Sequence, residues 1–188
     1  SCRGTNSQTM PTKPNPARKL ALKLLNNWSR SSQFADVLLS RALDTYKLDS
    51  RDRGLVTQLF LGVIRRRKTL DCILQAFCSR PLDRLTDGGL NILRLAAYQI
   101  IFLERVPSYA AIDSAVRQAK KLSKTGLYKL INATLRSLDR SLSKDVLDTN
   151  EELLKRALPL ELDKWRHFDR DIFAGPEDDP ADHIAQVY

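Results

Sequence analysis

The chain has 188 residues, a formal charge of +9 and 43% hydrophobic residues, enough apolar material for one domain. Seven Gly and eight Pro are few for an all-β chain with many tight turns. No apolar run approaches the roughly 20 residues that cross a bilayer, and SCRGTNSQTM at the start lacks the apolar stretch of a secretory signal.

Residues 1–14 read as a disordered N-terminal segment, and the next seven stretches read as helices. Asn15-Pro16 offers a cap followed by Pro at the first helical position. Ala17, Leu20, Ala21, Leu24, Leu25 and Trp28 then recur as an amphipathic stripe. A second helix is expected to bury Phe34, Val37, Leu38 and Ala42. A third starts at a Ser50 cap, with Asp52 in its first turn, and presents Leu55, Val56, Leu59, Phe60, Val63 and Ile64. Leu70, Ile73, Leu74 and Phe77 continue as a fourth until Pro81.

The fifth begins near Asp87 and is apolar nearly all round, through Leu90, Ile92, Leu93, Leu95, Ala96, Ala97, Ile100, Ile101 and Phe102. It reads as the centre of the fold, so a polar residue at Leu93 or Ile100 should unfold the chain. Pro107 stops it, Ser108 can cap the sixth, and Gly126 separates the sixth from the seventh. No segment alternates with the period of a strand. EELLKRALPLELDKW reads as a short helix broken near Pro159, within an acidic linker over 144–188.

Charge divides the chain. Residues 145–188 hold 12 Asp/Glu against 5 Lys/Arg, leaving 26 basic and 10 acidic residues in the first 144. A basic body of this kind suits a polyanion. Arg117, Lys120, Lys121 and Lys124 are spaced to collect on one side of the sixth helix, and Lys129, Arg136 and Arg140 form a stripe along the seventh. Arg18 and Lys19 begin the first. In GVIRRRKTLD the basic run follows the buried positions Val63 and Ile64 and precedes Leu70, which places it at a helix C-terminus. Arg66, Arg67 and Lys68 are candidates for phosphate contact. At that helix end Arg65 reads as a packing or capping residue as readily as a phosphate contact.

Catalytic motifs are missing from this sequence. There is no Gly-x-Ser-x-Gly and no Cys-x-x-Cys, and Gly88-Gly89 follows no strand. Cys72 and Cys78 read as reduced thiols of a cytoplasmic protein, and His167 and His183 are too far apart for a metal site. The chain as given is expected to be non-catalytic.

The stretches ARKLALKLL, DRGLVTQLFLGVIRRRKTLD, LRLAAYQIIFLERVP, SYAAIDSAVRQAKKL and LYKLINATLRSL, in this order over about residues 16–140, resemble the NusB-like RNA-binding domain. The resemblance is closest to the version at the N-terminus of the RsmB (Sun/Fmu) family of 16S ribosomal RNA cytosine-5 methyltransferases. Asn132-Ala133-Thr134-Leu135-Arg136 follows the methyltransferase branch, where antitermination factors tend to Asn-Gly-x-Leu-Asp, and Gly62-Val63-Ile64-Arg65 fits that branch too. Thr134 departs from the usual apolar residue. The resemblance implies an all-α fold of about seven helices in two packed three-helix groups. It implies an RNA surface at Arg18, Lys19, Gly126, Tyr128, Lys129 and Asn132, beside the spacing-derived Lys120, Lys121, Lys124 and Arg136. It also implies ribosomal RNA as partner, no membrane, and S-adenosylmethionine for a domain absent from this chain. The alternatives are a self-standing antitermination factor that binds RNA with a ribosomal protein, and a helical protein-interaction module without an RNA role.

Overall fold

A computed structural model describes residues 15–31, 33–122, 126–143, 155–161 and 164–173. The expectations for residues 1–14, the tail beyond 173 and Lys124 lie outside these residues.

Seven α-helices run in chain order: α1 Pro16–Trp28, α2 Ala35–Thr45, α3 Ser50–Arg65, α4 Arg67–Phe77, α5 Asp87–Phe102, α6 Ser108–Leu122 and α7 Leu127–Ser141. A single 3-10 turn, Leu82–Arg84, lies between α4 and α5. The Asn15 side chain caps α1 by accepting the Arg18 N–H at 3.2 Å. Asp49 rather than Ser50 caps α3, accepting the Asp52 N–H at 2.7 Å, because Ser50 is already helical.

α1, α2 and α3 pack as one group and α5, α6 and α7 as another, with α4 against α5 and α7. α5 also touches α1 and α3, so it is the shared centre. Thirteen of its 16 residues are buried, Leu93 completely. Each Leu or Ile buried there is worth roughly 1.5–3 kcal/mol. The other faces follow the predicted stripes, with Val56, Leu59, Phe60 and Val63 of α3 and Ile131, Leu135 and Leu138 of α7 buried. α2 is the exception. Phe34 is 78% exposed and Val37 41%, while Leu39 and Ala42 turn inward. Ala42 is buried as expected; the apolar residues of this stretch outnumber its core positions, and packing against α1 and α3 adds Leu39 rather than Phe34 or Val37.

Residues 157–161 and 164–167 correct the helix expected there; the start of that expected helix, 151–154, lies outside the described residues. Ala157–Glu161 (β1) and Lys164–His167 (β2) form an antiparallel hairpin, irregular between Pro159 and Glu161. Pro159 cannot donate a helical hydrogen bond and disfavours helix at the residue before it. The hairpin is tied to the body. Leu142 at the end of α7 bridges Phe168, the Ser143 N–H donates to the His167 carbonyl at 2.8 Å, and Phe168 meets Phe77 of α4 at 6.2 Å between ring centres. Ala157, Leu158, Phe168, Ile172 and Phe173 are buried. Cys72 and Cys78 are free thiols. Among the described residues no helix is long and apolar enough to cross a membrane, and no group of His, Cys, Asp and Glu could hold a metal ion.

Candidate nucleic-acid interface

The basic residues singled out by the sequence divide into exposed cations and cations that the fold has taken into its packing. Lys19, Lys68, Lys120, Lys121, Lys129 and Arg136 are exposed. Arg18 is half-buried, and its Nε donates to Gln99 Oε1 at 2.6 Å. Gln99 in turn donates to the Leu95 carbonyl at 2.8 Å, so Arg18 is anchored to the central helix. Burial, and after it the nearby Arg117 charge, hold the Arg18 guanidinium below its usual pKa. An arginine nonetheless keeps its charge in a protein.

The run Arg65-Arg66-Arg67-Lys68 is broken by geometry. Arg66 ends α3 and begins α4, with φ −105° and ψ 21°. Its N–H donates back to the Gly62 carbonyl, and its own carbonyl accepts from Leu70. The guanidinium lies 4.3 Å from the centre of the Phe102 ring, and burial lowers its pKa. Arg66 is therefore the packing residue, and Arg65, for which the sequence left that role open, is exposed. Arg67 sits 5.8 Å from the Trp28 ring centre while staying exposed.

The cations expected on one side of α6 face two ways. Lys120 points toward α7 and lies 5.2 Å from the centre of the Tyr128 ring. Arg117 and Lys121, one turn apart, line a groove of about 740 Å3 between α1, α5 and α6. Lys19 and Lys23 of α1 line it from the other side, and Leu20, Leu22, Leu48, Ile92 and Leu122 supply apolar lining. Among the described residues that line the groove, none is acidic. Arg117 also pairs with Asp113 at 2.8 Å. Lys23 lies outside the basic stripes read from the sequence, although it follows Lys19 by one helical turn; its Nζ donates to the Tyr46 hydroxyl at 2.6 Å.

At the start of α7, Gly126 takes the left-handed conformation, φ 80°, which favours glycine. Its carbonyl accepts the Lys129 N–H at 2.9 Å, which begins the helix and leaves the Lys129 side chain in solvent. Asn132 accepts from Arg136 Nε at 3.1 Å, so these two polar residues present one unit on the α7 surface. Gly88-Gly89 has a packing role. A Cβ on Gly88 would meet Leu122 at 2.9 Å, and one on Gly89 would meet Leu127 at 3.3 Å. The pair lets α6 and α7 approach the start of α5.

Residues 15–140 match the model of the NusB family. The chain belongs to that family. Over 134 residues it is 36% identical to a probable ribosomal RNA small subunit methyltransferase B of Synechocystis, covering 70% of this chain and 30% of that protein. It is 30% identical over 128 residues to the transcription antitermination protein NusB of Shewanella oneidensis, covering 68% of this chain and 96% of that protein. The chain thus spans less than a third of its methyltransferase relative's length and nearly all of the antitermination protein's. Among solved structures, T. maritima NusB aligns with a TM-score of 0.61 at 24% identity, over 70% of this chain and 93% of that one. A structure of antitermination factors NusB and NusE in complex with dsRNA aligns at 0.59 and 22% identity, over 66% of this chain and 93% of that one. At these identities the structural likeness speaks for the fold.

Proposed function

We propose that this chain is the RNA-binding, non-catalytic part of a 16S ribosomal RNA cytosine-5 methyltransferase and seats the enzyme on its RNA. The observation that carries this reading is the set of exposed cations at the starts of α1 and α7 and along α6, with a groove between α1 and α6 whose described lining residues include Lys19, Lys23, Arg117 and Lys121 and no acidic one. Lysines and arginines on helix surfaces neutralise phosphates without reading bases, which suits a module that positions an enzyme. The methyltransferase branch is favoured by the greater identity to the small-subunit methyltransferase and by Asn132-Ala133-Thr134-Leu135-Arg136.

The residues described here do not fit S-adenosylmethionine. Their strands are two short antiparallel segments, and the Gly88-Gly89 pair is filled by Leu122 and Leu127. Methyl transfer would belong to a further domain of the whole protein.

The near-complete cover of an antitermination protein favours a second reading, a factor that binds RNA together with a ribosomal protein. Reading the gene past the codon for Tyr188 separates the two. A downstream Rossmann pattern with a Pro-Cys motif supports the methyltransferase, and an immediate stop supports the factor. Titration with 16S ribosomal RNA fragments at several salt concentrations tests the RNA role itself. Tight binding that weakens steeply with salt is expected, and weak, salt-insensitive binding would leave a protein-interaction module.

A further inference from the structure

A second cavity, of about 840 Å3, lies where the end of α5, the start of α6, the end of α7 and the hairpin meet. Arg166 of β2, Arg140 of α7 and Ser108 of α6 line it, together with Glu104 and Asp139. Arg166 is 9% exposed, and its Nε has no hydrogen-bond partner. The Glu104 carboxylate stands 3.8 Å from Arg166 Nη2, beyond hydrogen-bond length, on a side chain 76% exposed. Buried guanidinium donors are normally satisfied, because leaving one unpaired forfeits its hydration without return. Ser108 is the first residue of a 15-residue helix, so the cavity wall also carries the positive end of α6. Arg140 is exposed and follows Arg136 by one turn on the same face as Lys129. A row of cations along α7 therefore leads to the cavity.

We propose that this cavity is a phosphate subsite for a single-stranded RNA backbone that runs along α7, held by Arg140, Arg166 and the start of α6. The proposal rests on the RNA reading above. The subsite depends on the hairpin, which lies beyond the family-matched residues 15–140. Glu104, loosely paired and largely in solvent, competes for Arg166 and is displaced by the phosphate. Asp139, half-buried beside Arg140, also disfavours an anion. Two carboxylates make the cavity a poor trap for free phosphate and fit it to a phosphate delivered by a strand already held at Lys129 and Arg136.

The test is the salt dependence of binding of a single-stranded 16S fragment to the full chain and to Arg140→Gln, Arg166→Gln, Glu104→Gln and Lys129→Gln. Arg140→Gln and Arg166→Gln should each weaken binding and lower the log–log salt slope by roughly one unit. Glu104→Gln should tighten binding severalfold. Thermal melts check folding, and the exposed Arg140 carries the test if Arg166→Gln unfolds. If Lys129→Gln lowers the slope while Arg140→Gln and Glu104→Gln change nothing, the subsite is wrong and the RNA reading stands. If Lys129→Gln also changes nothing, both fail. Inorganic phosphate alone should leave the Arg166 Nε NMR signal in place at millimolar concentration; saturation there would mean a small-anion pocket and overturn the backbone subsite.

Discussion

Arg94 of α5 grips Asp71 of α4 with both edges of its guanidinium, Nε to Oδ1 at 2.6 Å and Nη2 to Oδ2 at 2.7 Å. Its third nitrogen donates to Asn91 Oδ1 at 3.2 Å, and Asn91 donates to Asn26 and Ser29 of the α1 end. One network, buried at Arg94 and Asn91 and open at its ends, thus ties α4 and α5 to α1. The Arg94 side chain is 7% exposed and Asp71 32%, so removing the carboxylate strands a buried charge. Asp71→Ala should lower stability by about 2–4 kcal/mol, measured by urea unfolding. A loss below about 0.5 kcal/mol would place this pair with ordinary surface salt bridges.

Gly62 of α3 faces the Tyr98 ring of α5. A Cβ there would stand 2.2 Å from the ring carbon that bears the hydroxyl. Tyr98 is 8% exposed and stacks on Phe102 at 5.2 Å, so the ring has little room to retreat. Helix propensity alone would favour Ala over Gly by about 1 kcal/mol. Gly62→Ala should nevertheless destabilise by about 1–3 kcal/mol, with recovery in Gly62→Ala/Tyr98→Leu read from a double-mutant cycle.

Thr134 is 1% exposed and its hydroxyl finds no partner. A buried, unsatisfied hydroxyl is a net cost, so Thr134→Val should raise stability by about 1 kcal/mol in the same unfolding assay. A drop of that size would instead reveal a hydrogen bond made by Thr134.

Lys129 and Arg66 should separate binding from folding. Lys129→Glu is expected to weaken RNA binding with no change in melting temperature, since the side chain is exposed. Arg66→Ala should lower the melting temperature by several degrees through lost packing on Phe102 and leave RNA affinity of the folded protein nearly intact. The reverse pattern would exchange their roles.

The Arg170 hydrogen bond, followed by the Ser141 hydroxyl, holds the Asp169 carboxyl below its usual pKa. A depressed folded-state pKa adds stability above the unfolded value and loses it as pH falls through the folded one. Attachment of the hairpin to α7 should therefore weaken as the solution is acidified below the ordinary carboxylate range. Asp169→Asn should remove that dependence, followed by hydrogen exchange at the Ser143 amide. An identical acid response in both proteins would exclude Asp169 as its source.

The sequence by itself determined the helices, because their information is local. The Asn15-Pro16 start, the stripes of α3 and α7 and the unbroken apolar surface of α5 each follow from spacing along one segment. The order of the motifs likewise made the family legible. Tertiary structure alone decided which cations remain available. Arg18 and Arg66 resemble Lys19 and Lys68 in a string of letters, yet Gln99 and Phe102, distant in sequence, draw the first two into the body. The same choice sends Lys120 toward Tyr128 while Lys121 lines the groove with Lys19, and it buries Leu39 of α2 in place of Val37 and the preceding Phe34, beside the expected Ala42. The hairpin was hidden for the same reason. Its two short strands carry little period of their own, and the surfaces that hold them, Phe77 of α4 and the Leu142–Ser143 edge, lie elsewhere in the chain.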